Sequence, residues 1–207
     1  MQSPKSQEPQ RSAKQRRTMV VVAALALGAL SGLAITKAVG LSGSAGQSGQ
    51  RTTAVQSGFT TLDGGTSAPR WTLGVLGDPA RRISLAQFSG RPVILNFWAS
   101  WCVPCQAEMP AMERVSKLVG SRVAFIGVNT ADQSSSALSF AAKTGVTYSL
   151  AFDPLSTVGS QYGVFGLPVT VFISPSGKMV GRDVGAISQS DLEKLIYEEF
   201  KINVGKT

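Results

Sequence analysis

The chain has 207 residues, 43% of them apolar, enough for one or two domains with buried cores. Its formal net charge is +8, but residues 1–70 hold eight Lys or Arg against two Asp or Glu, whereas residues 71–207 hold twelve against ten. The excess is therefore N-terminal, and no stripe of basic and aromatic residues argues for nucleic acid. With no histidine and two cysteines, Ser-His and Cys-His catalysis, histidine metal sites, c-type haem attachment and a disulfide-rich scaffold are all excluded.

Residues 1–18 are polar and basic. Met19 to Ile35, "MVVVAALALGALSGLAI", is an uncharged apolar run suited to hydrocarbon. Residues 19–40 read as a transmembrane anchor, with a cleaved export signal as the alternative. Lys37 interrupts the place where a small-residue cleavage site would stand. Lys14, Arg16 and Arg17 orient either version so that the rest of the chain lies outside the cytoplasm. Residues 41–70 are rich in Gly, Ser, Thr and Gln and read as a flexible linker spanning about 30 Å root-mean-square.

From Trp71 onward the pattern is that of one α/β domain over residues 71–207. "WTLGVL" (Trp71–Leu76) and a stretch around Ile83 predict a hairpin turned at Gly77-Asp78-Pro79. "PVILNFW" (Pro92–Trp98) and "VAFIGVN" (Val123–Asn129) are apolar runs expected for strands buried on both faces. A helix is predicted from near Cys102, with Met109, Met112, Val115 and Leu118 as its apolar face. Ser134–Thr144 reads as a helix closed by Gly145. Val169–Ser174 and Lys178–Val184 form a hairpin around Pro175-Ser176-Gly177. A last helix begins near Ser188, where Ser188 and Asp191 have capping-box spacing, and buries Leu192, Leu195, Ile196 and Phe200. Alternating strands and helices followed by a hairpin and a helix imply a central sheet with helices on its faces.

The two cysteines stand in "WASWCVPC", Trp98 to Cys105. A zinc site would need carboxylates for every further ligand. A structural disulfide between Cys102 and Cys105 would close a loop too short to gain much from chain entropy. Redox chemistry fits better. Cys102 follows a buried strand and opens a helix, where unsatisfied N–H groups and the helix dipole favour a thiolate. Cys105 lies one turn further in, placed to resolve a mixed disulfide at Cys102. Pro104 falls in the first turn, where its missing N–H costs little. Trp98, Trp101, Met109 and Met112 read as packing residues, and Asn96 as a buried, hydrogen-bonded amide.

"NFWASWCVPCQAEMP" (Asn96–Pro110) resembles the active-site segment of thioredoxin-fold proteins, most closely the TlpA/ResA-like membrane-anchored thiol-disulfide oxidoreductases. "GVFGLPVTVFISPSGKMVG" (Gly163–Gly181) resembles that family's cis-proline segment and following hairpin. The resemblance implies a thioredoxin-like α/β fold with an N-terminal β-hairpin. The thirty-eight residues between Asn129 and Pro168 match the family's added α/β insertion, expected at Ser134–Thr144, Tyr148–Phe152 and Leu155–Tyr162. It further implies that Cys102 attacks, Cys105 resolves and Glu108 handles the Cys105 proton. Pro168 would be the cis-proline and, with Leu167 and Trp101, would contact the substrate. Pro110 matches a helix proline of structural role.

The implied activity is extracytoplasmic thiol-disulfide exchange without a cofactor, in the reducing direction. Its implied setting is cytochrome c maturation or copper-site assembly. The implied partners are exported protein thiols or disulfides, and a membrane electron donor for recycling. Disulfide-forming oxidation, peroxide reduction and Cu(I) delivery are the alternatives. Ala99 stands where a peroxidatic site would want Thr or Ser, and a thiolate pair suits Cu(I).

Overall fold

The computed structural model describes residues 58–205; the basic segment, the apolar run and residues 41–57 lie outside it. Eight strands form one sheet: β1 (Thr60–Ser67), β2 (Thr72–Val75), β3 (Asp78–Ser84), β4 (Val93–Trp98), β5 (Ala124–Thr130), β6 (Ser149–Asp153), β7 (Val169–Ile173) and β8 (Lys178–Val184). Their order is β1-β8-β7-β4-β5-β6-β2-β3. The central β4-β5-β6 strands are parallel, and the remaining pairs are antiparallel. Four helices follow in chain order: α1 (Val103–Val119), α2 (Ser134–Thr144), α3 (Thr157–Gln161) and α4 (Gln189–Phe200).

Side-chain alternation divides the core. On β4, Val93, Leu95 and Phe97 enter a cluster shared with Ile126, Val128, Val169 and Val171. Ile94 and Trp98 project to the other face, into clusters with side chains of α1, α2 and α4. A strand covered on both faces has no reason to alternate polar with apolar, so its sequence is a continuous apolar run. Asn96 is the exception in β4, and Thr170 interrupts β7 in the same way.

The helices start and stop where local chemistry directs. Cys102 caps α1, and Gly120, at φ +56°, ends it. Ser188 caps α4, its hydroxyl accepting the Asp191 N–H at 3.2 Å. Gly145 closes α2 in the left-handed conformation. The expected insertion is present as α2, β6 and α3.

Three boundaries and faces differ from expectation. The linker assigned to residues 41–70 includes β1, which pairs with β8. Its polar composition is that of an edge strand with its outer face in solvent, anchored by Phe59, whose ring meets Phe172 edge-on at 5.4 Å. The first hairpin turns at Leu76-Gly77, not Gly77-Asp78-Pro79; Gly77 supplies a φ of +83°, and Asp78 and Pro79 already belong to β3. On α1 the buried face ends with Val119, and Leu118 is exposed, because the face drifts round the helix from Val115 to the fourth residue on.

Phe59→Ala should destabilise the protein by about 1–3 kcal/mol, measured by urea unfolding, because half-buried ring surface is lost at Phe172 and Gly181. A neutral result would return residues 58–67 to the linker.

Candidate active site

The C-terminal end of β4 delivers the chain directly into α1. Cys102 and Cys105 form a disulfide there, with Cα atoms 5.3 Å apart. Cys105 is fully buried, and Cys102 is 4% exposed. The Cys105 N–H donates to Cys102 Sγ at 3.2 Å, so the sulfur occupies the position of an N-cap acceptor. In the reduced protein the same N–H and the helix dipole meet whatever charge Cys102 carries.

The strand-to-helix connection is clamped from the side. Asp132, in the loop after β5, accepts the Ser100 N–H at 2.6 Å and the Ser100 hydroxyl at 2.8 Å. It also accepts the Gln133 N–H at 2.7 Å and the Asn129 side-chain amide at 2.9 Å. Partial burial alone would raise its pKa, but these four donors hold the carboxyl below the usual range. Trp101, expected both to pack and to contact the substrate, is 61% exposed. Its indole N–H donates to the Ala131 carbonyl at 3.1 Å, which fixes the ring beside Cys102 at the surface. Trp98 is fully buried, as are Met109 and Met112.

Glu108 lies one turn beyond Cys105 on the buried face of α1 and is 2% exposed. Its Oε1 accepts from the Thr170 hydroxyl at 3.3 Å and from the Asn96 amide at 3.4 Å; Asn96 also donates to Thr170 Oγ1 at 3.1 Å. Oε2 has no hydrogen-bond partner. Burial pushes the Glu108 carboxyl up to about 8, against the opposing dipoles of the Ile187 amide, Thr170 and Asn96, and with a smaller push from the Asp183 charge.

The Leu167–Pro168 bond is cis. Pro168 is buried at the start of β7, and half-buried Leu167 packs on the cluster that contains both cysteines. Val103 (78% exposed) and Phe165 (98% exposed) add apolar surface, on the first turn of α1 and the loop before Leu167. Among the described residues no group of three or more Cys, Asp or Glu could hold a metal ion. Sequence reasoning reached Cys102, Cys105, Glu108, Leu167 and Pro168 but missed Asp132, Thr170 and Asp183. Thr170, the single polar residue inside "VTVFI", was a usable signal for a buried polar contact.

Glu108 also links stability to pH. A carboxyl whose folded value is raised stabilises the protein fully below its unfolded value near 4.5, and that contribution is lost as pH rises through about 8. Each pH unit of displacement is worth about 1.4 kcal/mol. Glu108→Gln should flatten the decline in urea-unfolding stability of the oxidised protein between pH 6 and 8, leaving the smaller slope below about 6 that Asp183 supplies. An undiminished decline would mean that Glu108 titrates normally.

The chain is similar to proteins of known family. Residues 65–182 match the model of the AhpC/TSA family. The chain is 34% identical over 139 residues to the thiol-disulfide oxidoreductase ResA of Bacillus subtilis, covering 66% of this chain and 76% of that protein. It is 31% identical over 126 residues to the thiol:disulfide interchange protein DsbE of Pseudomonas aeruginosa, covering 60% and 68%. The crystal structure of a secreted Mycobacterium tuberculosis disulfide oxidoreductase homologous to E. coli DsbE superposes with a TM-score of 0.57 at 25% identity, over 62% of this chain and 95% of that one. A buried disulfide at a helix N-terminus beneath a thioredoxin-like sheet, in a chain with these relatives, belongs to a thiol-disulfide oxidoreductase of the TlpA/ResA-like branch of the AhpC/TSA family.

Proposed function

We propose that the protein reduces disulfides of exported proteins from the outer side of a cell membrane, held there by residues 19–40. The observation that carries the exchange chemistry of this reading is the buried Glu108 one turn from the buried Cys105, and the reducing direction is supported by the resemblance to TlpA/ResA-like proteins. Its pKa of about 8 lies close to the ordinary thiol value of about 8.5, so a proton can pass between the two at little cost in either direction.

In each cycle the Cys102 thiolate attacks a substrate disulfide. A mixed disulfide forms, and one substrate sulfur leaves as thiolate. Cys105 then loses its proton to the Glu108 carboxylate and attacks Cys102 Sγ. The Cys102–Cys105 bond forms, the second substrate sulfur leaves, and two electrons have passed to the substrate. A membrane dithiol donor restores the pair by the reverse sequence. The backbone at Leu167 and Pro168 presents the substrate chain, and the Trp101 ring packs against it. Cytochrome c maturation or copper-site assembly is the setting, supported by the resemblance to TlpA/ResA-like proteins.

Cys105→Ala should trap Cys102 in mixed disulfides with exported proteins, recovered under non-reducing conditions and lost with Cys102→Ala. If no adduct accumulates, the exchange mechanism fails. Direction has its own measurement. The reduction potential of the Cys102–Cys105 pair, titrated against glutathione or dithiothreitol, should fall below the range of about −180 to −210 mV of an oxidising secretory compartment. A potential above that range would make the protein a disulfide-forming oxidase.

A further inference from the structure

Glu108 is not the only carboxyl buried beneath α1. Asn96 on β4, Thr170 on β7 and Asp183 on β8 stand in register across three neighbouring strands. Registered neighbours leave a sheet on the same face, and here it is the face from which Asn96 and Thr170 reach Glu108. Asp183 has no measurable exposure, and neither of its oxygens has a hydrogen-bond partner.

Among the described residues no cation forms an ion pair with it. Arg182, the next residue back, leaves the opposite face, where its guanidinium donates to the Tyr162 and Gly163 carbonyls at 2.9 and 2.7 Å. On the β1 side, Thr60 pairs with Arg182, which puts Phe59 beside Asp183, its ring over Gly181 and against Phe172. The charged groups that face Asp183 are Glu108 from α1 and Asp191 from the first turn of α4, and Glu199 of α4 lies near Gly181. All are acids. A residue placed only for packing would be apolar here, because an unpaired buried carboxyl costs several kcal/mol.

We propose that Asp183 is a positioning residue for Glu108: the two buried carboxyls hold one proton between them, and the charge left on Asp183 keeps that proton on Glu108 until a thiolate appears at Cys105. The inference rests on the reading of Glu108 as the proton partner of Cys105. During recharging, a donor thiolate attacks Cys102 Sγ, the Cys102–Cys105 bond breaks and Cys105 leaves as thiolate. Glu108 gives that thiolate its proton and becomes a carboxylate. The donor's second thiolate then attacks its own sulfur bound to Cys102, releasing oxidised donor and the reduced pair. Burial raises Asp183 only to about 6 while Glu108 reaches about 8, so near neutral pH the pair is a protonated Glu108 beside an Asp183 anion.

The test uses the full-length chain in detergent. Carboxyl 13C NMR follows Glu108 in the oxidised protein, and the pH–rate profile is recorded for reduction by dithiothreitol. In Asp183→Asn the Glu108 ionisation should move down by about one pH unit, tenfold in its acid constant, and the rate profile should move with it. In a Glu108→Gln background the same substitution should leave the profile where it is. An unmoved Glu108 titration in folded Asp183→Asn, or an equal shift of the profile without Glu108, would overturn the proposal. If Asp183→Asn does not fold, the labelled wild-type protein decides: each carboxyl should titrate in two steps that share midpoints, and two independent single steps would overturn it. A wild-type rate profile in Glu108→Gln sinks the proton-partner reading instead, while the NMR coupling still decides the role of Asp183.

Discussion

The centre of this fold is organised around a carboxyl group that water does not reach. A buried Glu is costly unless it is neutral or well paired. Glu108 is partly paired: one oxygen is held by Thr170 and Asn96 and the other by nothing. The sheet accommodates it by giving up apolar residues at the matching positions of β4, β7 and β8, a polar row inside an otherwise oily interface. Arrangements that leave a buried acid half-satisfied do little for stability and are commonly kept for chemistry.

Around that group the scaffold is rigid where the cysteines need it. β4 ends at Trp98, four residues before the Cys102 cap of α1, so the sulfur's position is set by a buried strand and a helix start together. Asp132 ties the intervening turn to the loop after β5 through Ser100. The Cys105 N–H donates to the Cys102 sulfur, a backbone-to-side-chain contact that the start of α1 sets up. The rim, by contrast, is apolar and open at Trp101, Val103 and Phe165. Apolar surface of this kind is indifferent to the exact residues that meet it.

Much of this was legible in the sequence because each element carries its own local signal. β4 and β5 are continuous apolar runs, α2 ends at a glycine, and α4 opens on a Ser-x-x-Asp cap. The cysteine pair sits at one-turn spacing, which a sequence displays directly, and Glu108 was reached through the resemblance of the segment around it. What escaped depends on distance along the chain. Asp132 contacts Ser100 thirty-two residues away, and Asp183 joins Asn96 and Thr170 only through strand register. β1 escaped because an edge strand with one wet face has the composition of a linker. Leu118 was misplaced because the helical stripe is not locked to one spacing over four turns.

β1 has a consequence for the geometry of attachment. It runs antiparallel to β8, and the Gly58 N–H donates to the Val184 carbonyl at 3.3 Å. Val184 stands opposite Val169, which stands opposite Phe97, one residue before the end of β4. The polypeptide therefore enters the domain at the pole that carries the cysteines and runs away from it. Chain that precedes Gly58 therefore joins the domain at the pole of the disulfide and not at the opposite one.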